Sequence, residues 1–133
     1  KEDIMSTPKE IAYAYARAYG WKIAPSGNTA LNELGISTQV PNVNAFISDG
    51  PYRTIVLANK TKIRFKNVPS SEITNISYEA ALIIEAIKYL KKENITVAVL
   101  ANLRNRFTED ELQVIKSDSK VARSWVYEQI LKL

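Results

Sequence analysis

The sequence predicts an α+β fold in which a small, mainly antiparallel sheet lies between N-terminal helices and a C-terminal helical cluster. Three patterns predict this order. A capped helical periodicity opens the chain, apolar and polar residues alternate in its middle, and helical periodicity returns from residue 78 onward. The 133 residues suit a single domain, 1–133, without a dividing linker. Because the chain begins with Lys rather than Met, residues 1–6 are expected to be a flexible remnant of a longer polypeptide.

The first helix has a clear start and a clear end. In Thr7-Pro8-Lys9-Glu10, the threonine can cap the helix, the proline suits its first turn, and the glutamate can complete a capping box. Gly20 is predicted to end the helix. Its predicted apolar face consists of Ile11, Ala14, Tyr15 and Ala18.

The middle of the chain predicts the sheet. Strands are expected over residues 21–24, 45–48, 53–57 and 62–66, with a short helix over 29–34. Asn59-Lys60-Thr61 supplies a short connection, so the last two strands are expected to form a hairpin. In the last strand, Lys62, Arg64 and Lys66 alternate with Ile63 and Phe65. This alternation predicts that basic and apolar side chains lie on opposite faces.

The C-terminal half predicts four helices. They are expected over 78–92 and 95–106, after Thr108, and over 120–132. The apolar run 80–84 indicates a buried helix, and Thr108 begins a second capping box with Glu111. In the last helix, the residues predicted to face the core are Val121, Trp125, Val126 and Ile130.

Positive charge is concentrated in the predicted hairpin. Residues 51–66 contain five basic residues and no acidic one, whereas residues 1–50 carry a net charge of −1 and residues 67–133 are neutral. The candidate binding residues are therefore Arg53, Lys60, Lys62, Arg64 and Lys66. Such a cluster suits nucleic-acid phosphates or an acidic protein surface, although lysines on an edge strand also discourage unwanted strand pairing.

Composition excludes several chemistries. The chain has no His and no Cys, which removes histidine acid–base catalysis, thiol nucleophiles and the common metal sites. Its four glycines match neither a Walker loop nor a dinucleotide-binding loop. We therefore predict no catalytic residues, no metal and no cofactor. No apolar run approaches the ~20 residues of a membrane helix. With the absence of Cys, this favours a cytoplasmic protein that does not enter a membrane.

Other residues have two interpretations. Ser26, Gly27 and Asn28 precede a helix and form a candidate anion site, since helix N-terminal amides attract phosphate. A helix cap with a tight turn is the simpler interpretation. Asp49 could face a ligand, but a turn at Asp49-Gly50-Pro51 accounts for it. The two tryptophans, Trp21 and Trp125, are interpreted as core residues rather than stacking surfaces.

Several strings resemble a known family. These are residues 20–27 (GWKIAPSG), residues 30–41 (ALNELGISTQVP) and Ser48-Asp49-Gly50-Pro51, with Arg53-Thr54-Ile55 and residues 63–66 (IRFK) following. Together they resemble the C-terminal domain of AbiEi-type antitoxins from type IV toxin–antitoxin operons. The similarity is strongest over residues 7–66 and continues through the helices, where Trp125 also fits.

The resemblance implies a non-enzymatic antitoxin domain that counteracts a nucleotidyltransferase-like toxin without needing a stable complex with it. It also implies an upstream winged helix that binds the operon promoter and is absent from this sequence. The basic hairpin would contact either an RNA shared with the toxin or an acidic toxin surface. The alternative function is an accessory nucleic-acid-binding or dimerisation domain of a transcriptional regulator. Covalent modification of the toxin would have only Asp49, Ser26 and lysines available.

Overall fold

The computed structural model describes residues 7–133, so the predicted remnant at 1–6 lies outside it. Within this range the fold is α+β, as predicted. The helices are α1 (Pro8–Tyr19), α2 (Gly27–Glu33), α3 (Tyr78–Leu90), α4 (Val97–Arg104), α5 (Glu109–Asp118) and α6 (Ser124–Leu131). The strands are β1 (Ile23–Pro25), β2 (Val43–Ser48), β3 (Arg53–Val56) and β4 (Lys62–Asn67).

The four strands form one mixed sheet in the order β1-β2-β4-β3. The outer pairings, β1 with β2 and β3 with β4, are antiparallel, as the prediction of a mainly antiparallel sheet requires. The central pairing of β2 with β4 is parallel and was not predicted. Residues 49–52 cross two strand spacings, about 10 Å, from β2 to the edge strand β3, which runs antiparallel to β2. The hairpin then places β4 between them, antiparallel to β3 and therefore parallel to β2.

Helix α1 covers one face of the sheet. Its capping box is formed as predicted: Glu10 N donates to Thr7 Oγ1 at 3.1 Å, and Thr7 N donates to Glu10 Oε1 at 2.8 Å. The buried alanines are Ala12 and Ala16, whereas the sequence predicted Ala14 and Ala18. Because positions 12, 14, 16 and 18 are all alanine, the sequence pattern could not distinguish the buried alanines from the exposed ones. Phe46 and Phe65 lie in the same cluster as the buried pair.

The other face is covered by α2 and α3, which pack on β1 and β2. Helix α3 is buried over eight consecutive residues, 80–87, which confirms the predicted buried helix. Helices α5 and α6 pack against it. The prediction for the last helix was partly wrong. Val121 lies in a 3₁₀ turn before α6 and is 55% exposed, and Trp125 is half-buried, whereas Val126 and Ile130 are buried.

The turn after β2 is locked to the segment that precedes β1. Lys22 N donates to Asp49 Oδ1 at 2.9 Å, and Asn67 Nδ2 donates to the Gly50 carbonyl at 2.7 Å. The indole of Trp21 lies against the Gly50 α-carbon, with its Cε2 atom 2.6 Å from the position that a β-carbon would take. The Asp49 carboxylate therefore serves the turn, and residue 50 must be glycine for steric reasons.

We expect Gly50→Ala to destabilise the protein by about 1–3 kcal/mol, because the new methyl group overlaps the indole of Trp21. Denaturant unfolding monitored by circular dichroism measures this cost. A double-mutant cycle with Trp21→Ala supplies the control, since the smaller side chain makes room for the methyl group. An equal cost of Gly50→Ala in both backgrounds would contradict the steric explanation.

Candidate functional site

The predicted hairpin is formed by β3 and β4, joined by residues 57–61. Lys60 N donates to the Leu57 carbonyl at 2.9 Å, and Leu57 N donates to the Thr61 carbonyl at 2.8 Å. Thr61 N also donates to Asn59 Oδ1 at 3.0 Å. Lys60 has a φ of 70°, in the left-handed region that glycine and asparagine occupy more readily. The turn therefore holds Lys60 at the tip of the hairpin.

Three of the five candidate residues share one face of the hairpin. Lys62, Arg64 and Lys66 project away from α1, while Ile63 and Phe65 are fully buried beneath it. This confirms the predicted alternation of basic and apolar side chains. On β3, Thr54 pairs with Arg64 and Val56 pairs with Lys62, so both side chains share the basic side. We define the basic face as Thr54, Val56, Lys62, Arg64 and Lys66.

The basic face is open because the helices on that side cover only part of the sheet. Ala24 of β1 and Ile47 of β2 are buried in the core that α2 and α3 form. On the neighbouring strands, Lys62 and Lys66 are exposed, Arg64 is half-buried, and Val56 is 61% exposed. Successive basic residues on β4 are about 6.6 Å apart along the strand. The result is a row of three cations on an uncovered sheet surface.

Arg53 lies on the opposite face and does not join this row. It pairs with Phe65 in the β3–β4 register, which places it on the α1 side. Its guanidinium carbon lies 5.7 Å from the centre of the Tyr15 ring and 5.5 Å from that of Tyr19, which is cation–π geometry. The five candidate residues therefore do not form one surface, because the strand pleat separates Arg53 from the others.

An acidic residue distant in sequence, Glu85, lies near Lys66. Glu85 of α3 is buried, and its Oε2 atom lies 3.2 Å from Lys88 Nζ. Burial raises the pKa of Glu85 above the usual carboxyl range. The positive charges of Lys88 and Lys66 oppose this rise, and the negative charge of Glu72 adds to it. The positive charge at the Lys66 end is thus partly compensated in space, which the local sequence did not reveal.

A cleft of about 290 Å³ lies between the sheet, α3 and the turn before α6. Its wall includes apolar groups from Ile47 and Ile84, and charged groups from Glu72, Glu85, Lys88 and Arg123. Within residues 7–133, no group of three or more acidic side chains is arranged to hold a metal ion. The cleft combines both signs of charge and lies beside the basic face.

The candidate anion site at Ser26, Gly27 and Asn28 takes part in the local structure. Ser26 occupies the N-cap position of α2, but its side chain makes no capping hydrogen bond. Ser26 N instead donates to the Ala45 carbonyl at 2.9 Å, and Ala45 N donates to Thr29 Oγ1 at 2.9 Å. Gly27 has a φ of 55°. These contacts attach the start of α2 to β2, and α2 has only seven residues.

Sequence reasoning overlooked Tyr52. It immediately precedes β3, and its side chain is 63% exposed. Tyr52 is two residues from Thr54, so the alternation that assigned the β4 side chains also favours the basic side for Tyr52. The even spacing of Tyr52 from Thr54 was therefore the feature of the sequence that could have identified it.

The sequence was also compared with known proteins. It matches a protein family of unknown function, DUF6088, over residues 3–113. The chain belongs to this family. No curated protein and no solved structure matches it. In the structure, no helix within residues 7–133 has both the length and the apolar character needed to cross a membrane.

We expect Lys60→Gly to stabilise this DUF6088 domain by about 1 kcal/mol, because glycine adopts the left-handed conformation of residue 60 without steric cost. Thermal unfolding measures the change. Lys60→Ala is the matched control, since it removes the same charge and retains a β-carbon. Equal stabilisation by both substitutions would indicate a charge effect and contradict the conformational explanation.

We expect Glu85→Gln to raise stability at neutral pH and to have progressively less effect below about pH 4. Burial raises the pKa of Glu85 in the folded state, so the folded protein binds more protons than the unfolded chain. The wild type therefore loses stability as pH rises above the ordinary Glu pKa of about 4.3, whereas glutamine has no such loss. Urea unfolding between pH 3 and pH 8 tests this, with exposed Glu93→Gln as control. A gain that does not vary with pH would refute it.

Proposed function

We propose that this DUF6088 domain counteracts a nucleotidyltransferase-like toxin without catalysis, and that the basic face is its contact surface. The observation that carries the proposal is the open row of Lys62, Arg64 and Lys66 on a sheet face that α2 and α3 leave uncovered. The resemblance of residues 7–66 to AbiEi-type antitoxins supplies the biological role. The upstream winged helix and the cytoplasmic location belong to the same proposal.

The charge environment supports a contact role for the basic face. In the described part of the chain, the ion pairs are Lys9 with Glu33 and Lys88 with Glu85, and neither involves a residue of the basic face. Burying unpaired cations inside the molecule would be costly, but Lys62 and Lys66 are exposed and Arg64 is only half-buried, so the row can meet an anionic partner at the surface. The proposed neutralisation therefore needs binding and no chemical step.

The second candidate function is an accessory nucleic-acid-binding domain of a transcriptional regulator. The observation that favours it is the position of Lys60 at the hairpin tip, where it continues the cationic row beyond Lys62. In this case the hairpin would follow phosphates beside the operator. Neutralising the basic face of the full-length protein would then weaken promoter binding and reduce its salt dependence.

If the neighbouring gene encodes a nucleotidyltransferase-like protein, co-expression with that protein tests the antitoxin proposal. We expect the wild-type chain to restore growth, and the triple variant Lys62→Gln, Arg64→Gln, Lys66→Gln to lower survival at least about tenfold, because it removes the charges that would attract an anionic partner. The matched control carries Arg17→Gln, Lys92→Gln and Lys120→Gln, which removes the same charges at exposed positions of other elements.

Thermal unfolding of both triple variants checks that they remain folded. Restored growth with the basic-face variant would reject the proposed contact surface. The absence of a nucleotidyltransferase-like gene from the locus, or a lack of any rescue by the full-length protein, would reject the antitoxin role.

A further inference from the structure

We infer that the basic face binds a single-stranded polynucleotide, with the Tyr52 ring stacking on one unpaired base. This inference names the ligand of the face described above, and so it rests on the proposed function. It depends on three features of the described residues: an exposed aromatic ring, a row of cations beside it, and a change in local charge along that row.

Tyr52 has the exposure and the position of a stacking residue. It is 63% exposed, more than the exposed tyrosines Tyr19 and Tyr89, which are each 54% exposed. Extending the register of β3 and β4 by one residue places Tyr52 beside Lys66. β3 is an edge strand, so a ligand can approach the ring from the side of the sheet as well as from above. Aromatic side chains on a sheet surface are a common platform for unpaired bases.

The cations on β4 continue from Tyr52 along the strand. Lys66, Arg64 and Lys62 follow one another on the same face, and Lys60 occupies the turn beyond them. Arg64 is half-buried beside Thr54, and among the described residues its buried Nε atom has no hydrogen-bond partner. A planar guanidinium can contact phosphate through two parallel hydrogen bonds. This row matches the backbone of a polyanion.

The local charges indicate which part of the ligand lies at each end. Glu85 is close enough to Lys66 for their charges to interact, and Glu72 is close enough to Glu85 for the same reason. They would repel a phosphate beyond Lys66 but not a neutral base on the adjacent Tyr52 ring. Phosphates are favoured at Arg64, Lys62 and Lys60, which lie progressively farther from Lys66 along β4 and the turn beyond it.

The same features favour a single strand over a duplex or an acidic protein. In a duplex the bases stack on each other, and their faces are inaccessible to a side chain on a sheet. An acidic protein surface would account for the cations, but its carboxylates would be repelled by the electron-rich face of an exposed tyrosine ring next to them. A flexible single strand can place a base on Tyr52 and its phosphates along β4 together.

Fluorescence anisotropy with the 133-residue chain tests this inference. The probes are labelled 12-nucleotide oligo-U RNA, oligo-dT DNA and a duplex of equal length, each titrated at two salt concentrations. We expect the single strands to bind more tightly than the duplex. Comparison of the two single strands distinguishes RNA from DNA as the source of the ligand, and preferential binding of either supports the inference.

Variants separate stacking from charge. Tyr52→Ala is expected to weaken single-strand binding at least about fivefold without changing the salt slope, and Tyr52→Phe to retain affinity. The exposed Tyr89→Ala is the control for a general loss of tyrosine. The double variant Lys62→Gln, Arg64→Gln is expected to reduce the salt slope by about 1.4, which is about 0.7 for each phosphate contact.

Absence of oligonucleotide binding would overturn the inference, and so would equal duplex and single-strand binding that does not change in Tyr52→Ala. Growth rescue by a protein that binds no oligonucleotide would leave the antitoxin proposal intact and indicate an acidic protein partner. Binding that depends on Tyr52, in a protein that rescues no toxin, would support the ligand and reject the antitoxin role.

Discussion

Burial of Ile63 and Phe65 beneath α1 is the contact on which the rest of the arrangement depends. Both side chains are fully buried, and Phe65 contacts the aromatic cluster through Phe46 and Trp21, with ring centres 6.0 and 5.4 Å away. Since a strand alternates its side chains between two faces, this burial obliges Lys62, Arg64 and Lys66 to point the other way. A register shift of one residue would bury three cations, and the free energy of removing them from water would exceed the stability of the fold.

Different elements cover the two faces of the sheet, and to different extents. On one face, Ala12 and Ala16 of α1 share a buried cluster with Phe46, Ile63 and Phe65 of the central strands. On the other face, α2 follows β1 directly and packs with α3 over β1 and β2. The helices α5 and α6 then pack on α3 rather than on the sheet. On this face, β3 and β4 are therefore not covered by a helix. The open face is a consequence of where the helical cluster is built.

The sequence pattern predicted the features that depend on interactions between residues close together in the chain. The capping threonines Thr7 and Thr108, the buried run 80–84 and the alternation along β4 all follow from backbone geometry within a few residues. The parallel β2–β4 pairing and the position of Glu85 beside Lys66 depend on segments far apart in the chain, and no local pattern encodes them. Arg53 was grouped with the lysines by charge alone, although its place in the alternation assigns it to the opposite face.

The two tryptophans lie in different layers of the molecule. Trp21 packs in the cluster between α1 and the sheet, whereas Trp125 packs against the core of the helical cluster. Variants that keep one indole at a time would therefore carry an intrinsic fluorescent reporter on one side of the sheet. The strands contribute residues to both cores, so the sheet connects the two layers. If the layers unfold cooperatively, the two reporters will give the same unfolding transition; if they unfold independently, the two transitions will differ.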